Sequence, residues 1–241
     1  MLLIFFGIIE ASAYIAIWLQ FFATLIAFFV GAFILSNLRP NETKRKVKPA
    51  YEKNKWRKAV IPMALADGVS VINIQADIIM LGLLTTSVQV GYYAIAATGA
   101  TIIMTGVNVL VVVTMPYITR FFQLGEIDRL LKIITNVSRL GFFSSFFICL
   151  VYVFLGENFI VFFYGDDFIY AYFPLVVLSV AYLFKASFGL EARVLNMLGY
   201  EKDNMIVAIL VTILNIILNF LLIRKYGAIG AALATAATIV T

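Results

Sequence analysis

The sequence predicts an all-α integral membrane protein of about seven transmembrane helices, the last one incomplete. Three observations predict it. The 241 residues are 63% hydrophobic and only 13% charged, with a mean hydropathy of +1.01, far from the make-up of a soluble domain. The apolar runs last about 20 residues or more and lack the alternation of barrel strands, so helices are the spanning elements. Threading the runs in order also collects the basic residues on one side.

The elements follow in order. Residues 1–9 are apolar and read as the tail of an earlier span; with no positive region ahead of them they are not a signal peptide. Gly7 and Glu10 argue for a break, and the first full span runs over 10–36. Segment 37–58 is a basic loop with Arg39, Lys44, Arg45, Lys46, Lys48, Lys53, Lys55, Arg57 and Lys58 against Glu42 and Glu52. Spans 59–84 and 90–118 are joined by the short connection Thr85–Gln89. Span 134–155 leads through residues 156–167, with a Gly165-Asp166-Asp167 turn, into span 169–190. Span 204–223 and a helix from 228 onward complete the chain. Pro116 and Pro174 are positions where a helix can loosen.

With loop 37–58 assigned to the cytoplasm, Arg120, Arg129, Lys132, Arg139, Lys185, Arg193 and Lys202 fall on the same side. Sixteen of the 18 basic residues are then inside, and only Arg224 and Lys225 are outside. The basic loop is expected to lie on anionic lipid headgroups, at about 1 kcal/mol per Lys or Arg. Nucleic acid is not an expected partner.

Several function classes drop out. Histidine is absent, and the single Cys149 lies in an apolar run as an inert thiol, so no metal site or disulfide is expected. No phosphate-binding loop or dinucleotide fingerprint occurs, so neither a cofactor nor an enzymatic activity is expected.

Polar groups within the apolar runs are the candidate functional residues, because a charge at the bilayer centre costs about 2.5–3.5 kcal/mol on insertion scales. Span 59–84 holds Asp67, Asn73, Gln75 and Asp77. On a helix Asn73 and Asp77 lie about 40° apart, and Asp67 and Asp77 about 80° and about 15 Å apart. Such a polar stripe can line a cavity and bind a coupling cation or proton; the alternative is pairing with Arg or Lys on a neighbouring helix. Arg139 and Lys185 are cations able to attract a phosphate or pyrophosphate, or to snorkel to the headgroups. Asn108, with Gly99, Thr101, Thr105 and Gly106, and the pair Asn215 and Asn219 read as interhelical hydrogen-bonding positions. Tyr92, Tyr93, Tyr164, Tyr170 and Tyr226 fall near predicted interfaces, where aromatic belts occur. Gly7-Ile-Ile-Glu-Ala-Ser-Ala-Tyr14 faintly echoes Gly227-Ala-Ile-Gly-Ala-Ala-Leu-Ala234, as a parallel repeat would.

A family resemblance rests on several of these segments. Asp77-Ile-Ile-Met-Leu-Gly82 with Val90-Gly-Tyr-Tyr-Ala-Ile-Ala96 resembles the seventh and eighth spans of polysaccharide (O-antigen) repeat-unit flippases. Pro116 with Gly125-Glu-Ile-Asp128 resembles the following inner loop, and Tyr164-Gly165 with Phe168 and Leu175 to Leu178 the tenth-span region. Asn215-Ile-Ile-Leu-Asn219, Tyr226-Gly227, Gly230-Ala-Ala and Ala234-Thr235 look like the eleventh and twelfth. In order and spacing these segments together resemble the C-terminal part of members of the multidrug/oligosaccharidyl-lipid/polysaccharide exporter superfamily.

The resemblance implies two six-helix lobes around a central cavity. Residues 1–36 would end the first lobe, 37–58 would join the lobes, and 59–241 would form most of the second. It implies flipping of an undecaprenyl-pyrophosphate-linked oligosaccharide across the inner membrane by alternating access, with a polysaccharide polymerase and chain-length regulator as partners. Lys185, Arg139 and Asn108 would then hold pyrophosphate or sugar, and Asp67, Asp77 and Asn73 would couple to an ion. The alternatives are a cation-coupled multidrug exporter of the same superfamily and an inactive truncated product.

Overall fold

The computed structural model describes residues 13–38, 53–188, 194–196 and 199–240. The echo at Gly7, most of the basic loop, and Arg193 lie outside the described residues. Among the described residues six helices are long and apolar enough to cross a membrane. The chain divides into two compact units between Glu52 and Lys53.

The first unit contains α1, Ala13–Leu38, which carries no charged residue. Its aromatic side chains stack along its own surface, Trp18 on Phe22 at 5.7 Å between ring centroids. A helix apolar all round is what a bilayer accepts.

The second unit is a bundle of α2 (Lys53–Leu84), α3 (Ser87–Gln123), α4 (Ile127–Tyr164), α5 (Tyr172–Phe188), α6 (Glu201–Tyr226) and α7 (Ala228–Val240). A 3-10 segment, Asp166–Ala171, leads into α5. Helix α2 starts at Lys53, so the last part of the expected basic loop is helical. Helices α3 and α4, with 37 and 38 residues, are about 55 Å long against about 30 Å of hydrocarbon. The expected inner loop between them shrinks to Leu124-Gly125-Glu126, with Gly125 at φ 70°. Apolar packing extends the helices this far: Val111 and Ile118 of α3 and Leu130 and Val137 of α4 share one buried cluster. Likewise the expected loop from Gly156 is helical as far as Tyr164, and the turn falls at Gly165, φ 91°.

Helices α3, α4 and α5 approach closely over small residues. A Cβ on Gly99 would stand 3.0 Å from Leu175, and one on Gly156 3.0 Å from Tyr172. Hydroxyls join the same helices: Ser145 donates to the Ile103 carbonyl (3.0 Å), Tyr152 to that of Gly99 (3.0 Å) and Tyr172 to that of Val153 (2.7 Å). Small residues and hydroxyl bonds are the usual means of association where lipid removes the hydrophobic drive between helices.

Helices α6 and α7 form a hairpin turned at Gly227, φ 57° and ψ −130°. The Gln89 side-chain oxygen accepts from the Ala228 N–H at 2.9 Å and so caps the opening of α7. A Cβ on Gly230 would lie 2.2 Å from the Leu222 carbonyl oxygen, which forbids any larger residue there. The small-residue start of α7 is thus set by contact with its own hairpin partner.

Candidate functional site: a buried carboxylate shared by four helices

Asp77 on α2 is only 3% exposed. It accepts hydrogen bonds from three helices: Tyr93 Oη of α3 (2.5 Å), Asn219 Nδ2 of α6 (2.6 Å) and Thr235 Oγ1 of α7 (2.6 Å). Each donor arrives by helical register. Tyr93 continues the buried face Ala96, Ala100, Ile103 and Val107 of α3. Asn219 continues the α6 face of Thr212 and Asn215, and Thr235 follows the small residues that bring α7 close.

The network extends along α6 and α7. Asn219 Nδ2 also donates to Asn215 Oδ1 (2.8 Å), and Asn215 Nδ2 to Thr238 Oγ1 (3.3 Å). Asn215 and Asn219 are fully buried, and Asn219 Oδ1 has no hydrogen-bond partner among the described residues. Among the described residues no basic side chain is within ion-pair reach of Asp77. The carboxylate is held by neutral donors rather than by the Arg or Lys that the packing alternative required. Two of the donors are hydroxyls, which can either donate or accept a hydrogen bond on rotation. The cradle therefore accommodates the carboxylate and its neutral acid with little rearrangement.

A cavity of about 390 Å³ opens beside this centre, lined by Asn73, Asp77, Tyr93, Tyr182, Lys185 and Thr235 among others. An adjoining recess of about 580 Å³ shares Asn73 and Lys185 and adds Ser70 and Asn204. The polar stripe of α2 thus runs Ser70, Asn73, Asp77. Asp67 is exposed and lines neither space, because the turn of about 80° from Asp77 carries it off this face. Asn108 lies on the exposed side of α3, outside both spaces. Arg139 lines a separate groove on α4 and α5. Of the six residues singled out from the sequence, the structure brings Asn73, Asp77 and Lys185 to one cavity.

Sequence reasoning missed Tyr93 and Thr235. Tyr93 is 3% exposed, not part of an interfacial belt. Its spacing of three from Ala96 and seven from Ala100 was the available signal. Nothing local distinguishes Thr235 from an ordinary small residue.

No protein-family model matches the chain. Over 163 residues it is 25% identical to the probable low-salt glycan biosynthesis flippase Agl15 of Haloferax volcanii, covering 66% of this chain and 34% of that protein. Over 64 residues it is 38% identical to an uncharacterized membrane protein of Methanocaldococcus jannaschii, covering 27% of this chain and 15% of that one. The chain thus spans about a third or less of the curated relatives it matches. Among solved structures it superposes on a MOP superfamily transporter from Pyrococcus furiosus with TM-score 0.64 at 20% identity, covering 76% of this chain and 41% of that chain. A multidrug resistance MATE family transporter of the same superfamily, in an outward-facing conformation, gives TM-score 0.59 at 20% identity with the same coverage. The fold is that of part of an all-α, multi-pass membrane transporter.

Proposed function

We propose that the chain forms most of the second lobe of a flippase that moves a lipid-linked oligosaccharide between membrane leaflets. Residues 59–241 supply the lobe, and 37–58 link it, on the cytoplasmic side of the inner membrane, to the lobe before it. The observation that carries this reading is the cavity that Asp77 and Lys185 both line. Lys185 offers a cation to the pyrophosphate of the carrier lipid, and Asp77 binds the coupling ion. Binding at Asp77 reaches four helices at once, so it can bias their arrangement, which is the requirement for a ligand to drive a conformational change. The likeness to the Haloferax flippase, over about two thirds of the chain, supports the same assignment.

The multidrug reading is supported by the MATE superposition. Against it, Lys185 in the cavity repels the lipophilic cations such an exporter would carry. Flipping of an undecaprenyl-pyrophosphate-linked oligosaccharide by the full-length protein in vesicles tests the choice. Flipping that drops at least about tenfold in Lys185→Gln supports the flippase. Export of cationic dyes with no flipping would replace it with the drug exporter.

A further inference from the structure

Arg139 stands apart from the transport cavity, in a groove of about 520 Å³ that it lines with Thr135, Ser138, Ser187, Phe142 and Phe143. We propose that this groove binds the phosphate of an anionic phospholipid, with Arg139 and Ser138 on the headgroup and the two phenylalanines against the acyl chains.

Depth is the first support. Arg139 is the last charge before an uncharged run, Leu140–Gly156, on α4. Measured back from the charge at Glu157, a hydrocarbon layer of about 30 Å ends near residue 137. Arg139 then lies about 3 Å inside that edge, within reach of the headgroups through its long side chain. The groove changes character near that edge. Its hydroxyls and guanidinium lie on the headgroup side, and Phe142 and Phe143 begin the apolar run.

Chemistry is the second support. A guanidinium presents paired N–H groups that match two phosphate oxygens, and Ser138 adds a hydroxyl donor beside it, while Thr135 and Ser187 donate to the Leu131 and Leu183 carbonyls of their own helices. Among the described residues no carboxylate is in ion-pair reach of Arg139, so its charge is available. Arg129, nearer the start of α4, is by contrast paired with Glu126 at 2.8 Å. A free phosphate would satisfy the guanidinium but leave the phenylalanine side of the groove empty.

The test measures lipid retention by native mass spectrometry on the intact detergent-purified protein, titrated with phosphatidylglycerol or phosphatidylcholine of matched chains. The wild type is expected to retain phosphatidylglycerol about tenfold better, and Arg139→Gln to abolish that preference while Lys185→Gln keeps it. Arg139→Lys, which keeps the charge but not the paired geometry, should fall between. If Arg139→Gln proves unstable, Ser138→Val should still lower the preference. Equal retention of both lipids, or an unchanged preference in Arg139→Gln, overturns the site. So does displacement of the lipid by inorganic phosphate at millimolar concentration, which would make it a plain anion site. Displacement by lipid-linked pyrophosphate would assign Arg139 to the transport substrate instead.

Discussion

The two sides of the bundle are joined by polar bonds of different kinds. Helices α3, α4 and α5 are tied by Ser145, Tyr152 and Tyr172, each donating to a backbone carbonyl. Helices α2, α6 and α7, with the start of α3, meet through side chain to side chain bonds that converge on Asp77. A carbonyl cannot change its charge, so the first set is a fixed weld. A carboxylate can be neutralised or bind a cation, so the second set is the one on which the proposed coupling ion would act. On the proposed reading, the difference separates the part of the bundle that holds shape from the part that ion binding would change.

Four substitutions would break or sharpen that contrast. The largest effect is expected at Gly230, where even Gly230→Ala drives a Cβ into the Leu222 carbonyl. It should cost roughly 3 kcal/mol or more, read as loss of folded protein in a thermal unfolding assay in detergent. Next is Asp77→Leu, which removes the shared acceptor of three donors, two of them, Tyr93 and Asn219, buried. Unfolding in the same assay should show a loss of about 2–3 kcal/mol. Asp77→Asn is nearly isosteric, and the two hydroxyls can turn to accept from its amide. It should cost about 1 kcal/mol in stability while removing ion-dependent transport. The smallest effect is expected for Tyr152→Phe, at about 0.6 kcal/mol with transport intact, because the Gly99 carbonyl keeps its helical bond. A double-mutant cycle sharpens the comparison further. Asp77→Asn with Asn219→Ala should couple by about 1 kcal/mol or more, and Asp77→Asn with Tyr152→Phe by less than about 0.5 kcal/mol.

Much of this was legible in the sequence, for physical reasons that also mark where legibility stops. Long apolar runs form helical spans in lipid, so the six long helices among the described residues could be read directly. Helical angle put Asn73 and Asp77 on one face, and both line the cavity. The same angle argued against Asp67, and the wider stripe drawn through it was too generous. Asn215 and Asn219 read correctly as interhelical donors, but their partner could not be read. Asp77 lies 142 residues from Asn219 and 158 from Thr235, and only tertiary register joins them. Tyr93 misled because a tyrosine near the start of an apolar run fits a membrane interface as well as a core. The ends of α3 and α4 outran expectation because core packing, not lipid, sets their length.

The central claim is that Asp77 is where an ion acts on the lobe. Flipping of lipid-linked oligosaccharide by the full-length protein in vesicles, with and without an imposed proton or sodium gradient, tests it most directly. The account predicts that a gradient accelerates the wild type, and that Asp77→Asn folds, still binds substrate and loses the acceleration. Gradient-driven flipping at the wild-type rate in Asp77→Asn would contradict it.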